Sequence, residues 1–273
     1  MRHIGICVIA LCLAAPAASE QPPAKAVSLS SAFTPGEISR YNVDVQVTGT
    51  TKLPGASQPS SVEAVLSLEV THTVGQRAED GSMQLYIAAA HPSAIIGGQK
   101  VALTKDVFPQ LIALFDSSGD VTRLYAPDAM AVRLPGITYR SMLILFRPYA
   151  PAGDLKPGAT WKKALILPPE TEKYDLSCTL EALEDIGGVH TARVRTDVTV
   201  FPGAPMDYAA KGFAVTHFSL DGGLLKSRAE MVIKTSSSGP ESPTETPGPD
   251  TPGQVEIVVK INIHRADLAL SAK

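Results

Sequence analysis

The sequence predicts a mainly β protein (class α+β): a large curved antiparallel sheet, or an open barrel or sandwich. It is expected to be built from two loosely similar halves with one or two short helices. Three observations carry this reading. Apolar and polar residues alternate through most of the chain, Gly-containing turns separate the alternating runs, and Phe33-Thr34-Pro35-Gly36 finds an echo at Leu155-Lys156-Pro157-Gly158. Alternation with period two marks a strand with one dry and one wet face. Many such runs in succession, each closed by a turn, point to antiparallel pairing.

At the N-terminus Arg2 and His3 form a short basic region before the apolar run Ile4–Leu13. Ala15-Pro16-Ala17 and Ala17-Ala18-Ser19 then offer small residues where a signal peptidase reads. Residues 1–19 are thus expected to be an export signal, too short for a spanning helix, which needs about 20 apolar residues. Ile9-Ala10-Leu11-Cys12 loosely resembles a lipobox, so a lipid anchor on Cys12 is the minor alternative; Leu11 is bulky for the residue before a modified cysteine. The expected location is periplasmic or extracellular, with no transmembrane helix in the mature chain. Residues 20–32, rich in Pro, Ala and Ser, are expected to be a flexible leader.

Removal of the signal leaves Cys178 alone of three cysteines, so no internal disulfide framework is available and stability must come from burial. The net charge of −3 is spread over interspersed acids and bases. No basic face suggests a nucleic acid or an anionic membrane surface as partner.

The first half is expected over 33–150. Tyr41, Val43, Val45 and Val47 share one face of its opening strand, and Gly49–Ser61 reads as a loop. The next strand turns Val62, Ala64, Leu66, Leu68 and Val70 inward, and Glu79-Asp80-Gly81 leads into Met83, Leu85 and Ile87 as a hairpin. Leu111–Phe115 and Val121–Tyr125 form a shorter hairpin about Ser117-Ser118-Gly119, with a helix begun at Asp106 as the alternative for its first arm. Ile137–Arg147 is the best helix candidate: Ile137, Met142, Leu145, Phe146 and Tyr149 fall at roughly helical spacing, and Pro148 would stop it.

The second half is expected over 151–273. Tyr174, Leu176, Cys178 and Leu180 alternate inward, Gly187-Gly188 turns the chain, and Ala192, Val194, Val198 and Val200 return it. Asp221-Gly222-Gly223 makes the next turn, followed by Leu225, Ala229, Met231 and Ile233 on one face. Residues 236–253, dominated by Ser, Thr, Pro, Gly and Glu, read as a disordered loop inserted between two strands. The closing strand sets Val255, Ile257, Val259, Ile261 and Ile263 on one side, and such regularity implies pairing within the sheet, since an exposed edge invites aggregation.

Arg40-Tyr41 after the first Pro-Gly, the segment Pro157-Gly158-Ala159-Thr160-Trp161, and the turn Ser219-Leu220-Asp221-Gly222-Gly223 resemble an uncharacterised family of exported bacterial proteins. In that family a Pro-Gly-Asp-x-Trp-like segment opens the second half; Ala159 stands here in place of the acid. The resemblance covers most of the mature chain and carries no activity. In architecture alone, a curved antiparallel sheet with a short apolar helix is similar to periplasmic lipoprotein-carrier and lipid-binding proteins.

No reaction centre stands out. His72 and His190 fall on apolar strand faces, His91 closes a strand, His217 lies within one and His264 takes a polar side; none has a second ligand at zinc-motif spacing. No metal site, cofactor or catalytic residue is therefore expected. Cys178 faces inward as a small hydrophobe, Glu63 and Glu69 read as solvated surface, and Gly97-Gly98-Gln99-Lys100 lacks the phosphate-loop spacing. The feature with functional promise is the apolar helix, whose Ile137, Met142, Leu145 and Phe146 would line a space against the sheet. The expected function is non-enzymatic binding of an apolar ligand, such as a lipid, or of an envelope component such as an envelope protein. The alternatives are a structural or protein-interaction module, or a hydrolase with a dispersed site in which His217 meets an acid from the opposite half.

Overall fold

A computed structural model describes residues 26–29, 33–52, 56–103, 108, 110–117, 119–125, 143–166, 173–201, 208–237 and 253–266. The first part contributes β1 (Val27–Ser28), β2 (Ile38–Lys52), β3 (Ser60–Val74), β4 (Met83–Ile96), β5 (Gln99–Val101), β6 (Leu111–Phe115) and β7 (Val121–Tyr125). The second contributes β8 (Asp154–Leu155), β9 (Thr160–Ile166), β10 (Lys173–Ile186), β11 (Val189–Phe201), β12 (Tyr208–Ser219), β13 (Leu224–Ser237) and β14 (Gly253–Arg265).

Twelve of these strands form one antiparallel sheet in the order β7-β6-β4-β3-β2-β14-β13-β12-β11-β10-β9, with β5 paired to β4. Each half is a meander of neighbours in sequence, and the halves meet where β2 pairs with β14, from Lys52↔Gln254 to Tyr41↔Arg265. The closing strand is therefore central, with β13 on its other side. Among the described residues the sheet does not close, because β7 and β9 pair on one side only.

It nevertheless curls until its two ends nearly meet. Eleven strands laid flat at about 4.8 Å spacing would hold β7 and β9 tens of ångströms apart. Instead Lys163 Nζ on β9 lies 2.6 Å from Asp120 Oδ2, the residue before β7. Two glycines on the inner face mark where neighbouring strands crowd together. A β-carbon at Gly49 would strike the carbonyl oxygen of Glu256 on β14, and one at Gly212 would strike that of Glu230 on β13. Glycine inside a strand serves such close backbone approach. The strand runs on through Gly49 to Lys52, paired with β14 throughout, where the composition suggested a loop.

The inner face is predominantly apolar along its circuit. Tyr41, Val43, Val45 and Val47 of β2 continue into Ile257, Val259, Ile261 and Ile263 of β14, then into Ala192, Val194, Tyr174, Leu176 and Leu180 further round. Cys178 belongs to the same wall. Every one of these sits at the inward phase of its strand's alternation.

The two Pro-Gly turns are built alike. In Thr34-Pro35-Gly36-Glu37 and Lys156-Pro157-Gly158-Ala159 the glycine has φ of 81° and 91° respectively, the left-handed value that a type II turn demands after proline. Gly36 N–H donates to Val74 O (2.9 Å) and Val74 N–H to Glu37 O (2.9 Å). Gly158 N–H donates to Leu180 O (2.7 Å) and Leu180 N–H to Ala159 O (2.9 Å) in the same pattern. The equivalence aligns the cross-strand pair Ser39↔His72 with the pair Trp161↔Cys178.

Three expectations need correction. The helix over Ile137–Arg147 is absent from the part that is described: Leu143–Phe146 is a single 3-10 turn, all four residues buried, while Ile137 and Met142 lie outside the described residues. An amphipathic helix needs a wet side, and a segment enclosed by a curled sheet has none. The leader assigned to 20–32 is not flexible throughout, because β1 pairs with β8 and both Val27 and Leu29 are buried; their alternation about Ser28 is that of a short strand. Of the loop assigned to 236–253, Ser236, Ser237 and Gly253 belong to strands, since Ser236↔Gln254 and Ser237↔Gly253 extend the β13–β14 ladder, while residues 238–252 lie outside the described residues.

Candidate functional site: the trough and its plug

The curled sheet makes a trough, and its contents come from the chain itself. Leu143, Ile144, Leu145, Phe146, Arg147 and Tyr149 are all buried inside it. The segment touches widely separated walls. The Phe146 ring lies 4.4 Å from the His72 ring on β3 and 5.1 Å from the Tyr41 ring on β2, centroid to centroid. Two residues on, the Trp161 indole N–H of β9 donates to Pro148 O at 3.3 Å.

Arg147 anchors the segment beside the β6–β7 turn. Its guanidinium carbon sits 5.3 Å from the Phe115 and Tyr149 ring centres and 5.8 Å from that of Phe33, a cation–π setting on three sides. Burial pushes its pKa down, opposed by Tyr149 and by the carboxylates of Asp120 and Asp116.

This plug carries its own destabilising features. Tyr149 has φ of 46°, which a residue with a β-carbon adopts at a cost of about 1–3 kcal/mol. Its hydroxyl is buried with no hydrogen-bond partner, and desolvation pushes its pKa up to about 12. The 3-10 turn itself has poorer hydrogen-bond geometry than an α-helix. The plug is thus held by apolar contact against strain and an enclosed guanidinium.

Leu145 and Phe146, two of the four lining residues expected from the sequence, face different spaces. Ile144 and Leu145 border a cavity of about 40 Å³ whose far wall includes Tyr174, Ala214, Met231 and Val259. Phe146 borders a cavity of about 20 Å³ with Glu37, Ser39, Tyr41, His72 and Leu224. The plug thus stands as a partition between two small pockets.

The second pocket includes polar residues in a largely apolar lining, a feature that sequence reasoning did not find. Ser39 and His72 are buried and directly opposed across β2 and β3. Ser39 Oγ donates to Glu37 Oε1 at 2.9 Å, and Arg265 Nη2 donates to the same oxygen at 3.3 Å. His72 Nε2 has no hydrogen-bond partner, and burial drives the imidazole pKa down to about 3. The alternation did place His72 on an apolar face, but the pairing of Ser39 with it depends on register, which no local pattern discloses.

His217 and His190 lie outside the trough. His217 points outward, 3.6 Å from Glu184 Oε2, in a group where Arg193 reaches Glu181 at 3.0 Å and also contacts Glu184. Burial, then the nearby Lys226 ammonium, lower its pKa. The acid beside it belongs to the same half of the chain. His190 is largely exposed and pairs with Asp185 at 2.9 Å, so it does not open an apolar face. Among the described residues no three His, Cys, Asp or Glu side chains are grouped to hold a metal ion, and no helix is long and apolar enough to cross a membrane.

No family model matches the chain, and no curated protein matches it. Among solved structures, one of lipovitellin, described as concerning lipid–protein interactions, is similar with a TM-score of 0.48 and 13% identity. The similarity covers 89% of this chain and 26% of that one, so the chain spans about a quarter of its length, and nothing about function follows from it.

Proposed function

We propose that the protein is an exported, non-enzymatic binder of an apolar ligand, with the inner face of the curled sheet as its site and residues 143–149 as a displaceable plug. One observation carries the reading. The dry face is covered at its centre by a four-residue turn followed by a buried arginine and a strained tyrosine, rather than by a second sheet or an α-helix among the described residues. Elements that open in binding come from the least stably held parts of a fold. Leu145 and Phe146 then act as gate residues whose departure joins the two pockets.

A structural or partner-binding role is the second reading, favoured by pocket size. Cavities of about 40 and 20 Å³ fall far below the roughly 300–1,000 Å³ of small-molecule sites. With the plug in place, neither of these two cavities among the described residues has room for a small molecule.

Native mass spectrometry of protein purified from its own envelope separates the two. A lipid-sized mass carried through purification and released by solvent supports binding. A bare polypeptide mass, together with no uptake of a fluorescent apolar probe, supports the structural role.

A further inference from the structure

The pocket beside His72 has the chemistry of a small built site. His72 is 3% exposed, and its Nε2 is sealed from solvent with no partner. A buried ring nitrogen left unpaired carries its desolvation penalty with nothing to offset it, so such a group calls for an occupant. The adjoining space of about 20 Å³ exceeds the roughly 10–15 Å³ that one water requires. Ser39 and Glu37 are among the residues that line it.

The donor and acceptor inventory narrows what fits. Ser39 has committed its hydrogen to Glu37, so its oxygen is left as an acceptor, and the Glu37 carboxylate accepts only. The occupant must therefore donate toward Ser39 or Glu37 and also pair with His72 Nε2, which a single-proton donor does by accepting from the Nε2–H tautomer. A carboxylate headgroup cannot donate, and an ammonium cannot accept. Arg265 already balances the Glu37 charge, which leaves no net charge to attract an ion. A hydroxyl oxygen meets both demands. The low pKa of His72 keeps the imidazole neutral and compatible with a neutral guest.

We propose that this pocket binds one neutral hydroxyl oxygen: a water molecule when the trough is unloaded, and the hydroxyl head of an amphiphile when it is loaded. The second half rests on the trough being a binding site; the first half does not.

The experiment uses ¹⁵N-histidine-labelled full-length protein, with dodecanol, dodecanoate and dodecane as probes. In the free protein His72 is expected as the Nε2–H tautomer with a cross-relaxation peak to water, and His72→Phe identifies the signal by removing it. Dodecanol is expected to abolish the water peak and to bind about tenfold more tightly than dodecanoate, while dodecane leaves the peak in place. Ser39→Ala is expected to narrow that ratio without unfolding the sheet. Absence of a water peak in the free protein overturns the site. A peak that persists with dodecanol bound, or equal affinity for alcohol and carboxylate, overturns the headgroup assignment. If none of the three probes binds, the apolar-ligand reading fails, while the water peak still decides the pocket.

Discussion

The guanidinium of Arg147 occupies the space that a β-carbon on Gly119 would need. Gly119 also has φ of 81°, so a side chain at position 119 would meet both a left-handed backbone and an occupied space. Gly36 shares the same φ of 81° but has no atom within 4 Å of the would-be β-carbon. Gly36→Ala is expected to cost about 1–2 kcal/mol from the left-handed backbone alone. Gly119→Ala should cost clearly more, because it also expels the guanidinium that anchors the plug. Chemical denaturation of the two variants checks the difference, and equal losses would mean that Arg147 moves aside freely.

The stability of the protein should fall with acid. His72 has an ordinary pKa of 6.5 when unfolded and about 3 when folded, because burial disfavours its charged form. Between those values the unfolded chain holds a proton that the folded protein excludes, so stability is full above pH 6.5 and is lost progressively as pH falls toward 3. One such group contributes a slope of at most about 1.4 kcal/mol per pH unit. His217, whose pKa is also lowered, adds a slope of the same sign. Denaturation midpoints across this window should flatten more in His72→Phe than in His217→Phe.

Tyr149→Phe is expected to stabilise the protein by about 1 kcal/mol. The buried hydroxyl makes no hydrogen bond, so its removal lifts a desolvation penalty with no bond lost. The ring remains to face the Arg147 guanidinium, 5.3 Å away. A thermal melt decides, and a lowered midpoint would reveal a partner for the phenol.

Cys178 is expected to resist thiol reagents in the native state. It is 1% exposed, and burial pushes its pKa up, which suppresses the thiolate. Labelling should follow the opening of the sheet, measured as the denaturant dependence of the reaction rate. Rapid labelling in buffer would contradict the burial.

Period-two alternation made the inner wall legible strand by strand, because each long strand keeps a dry and a wet side. Tyr41 to Val47, Tyr174 to Leu180 and Val255 to Ile263 all behave as their pattern implies. Three kinds of feature stayed hidden. Strand order is one: the pairing of β2 with β14 joins residues more than two hundred positions apart, and no local signal reports it. Close strand approach is another, permitted at Gly49 and Gly212, whose role shows only once Glu256 and Glu230 stand against them. The third is the plug. Leu143–Phe146 has helical spacing, but all four residues are buried, and tertiary enclosure overrides the periodicity. The pocket beside His72 escaped notice for a related reason: Ser39 and His72 are unremarkable apart and become a pair only in register.

Hydrogen exchange at residues 143–150, with and without a bound apolar probe, tests the displaceable plug most directly. The expected result is that these amides open at a lower free energy than those of β10–β14 and exchange faster once the probe is bound. Exchange of 143–150 only through global unfolding, unchanged by the probe, would show that the plug is a permanent part of the core.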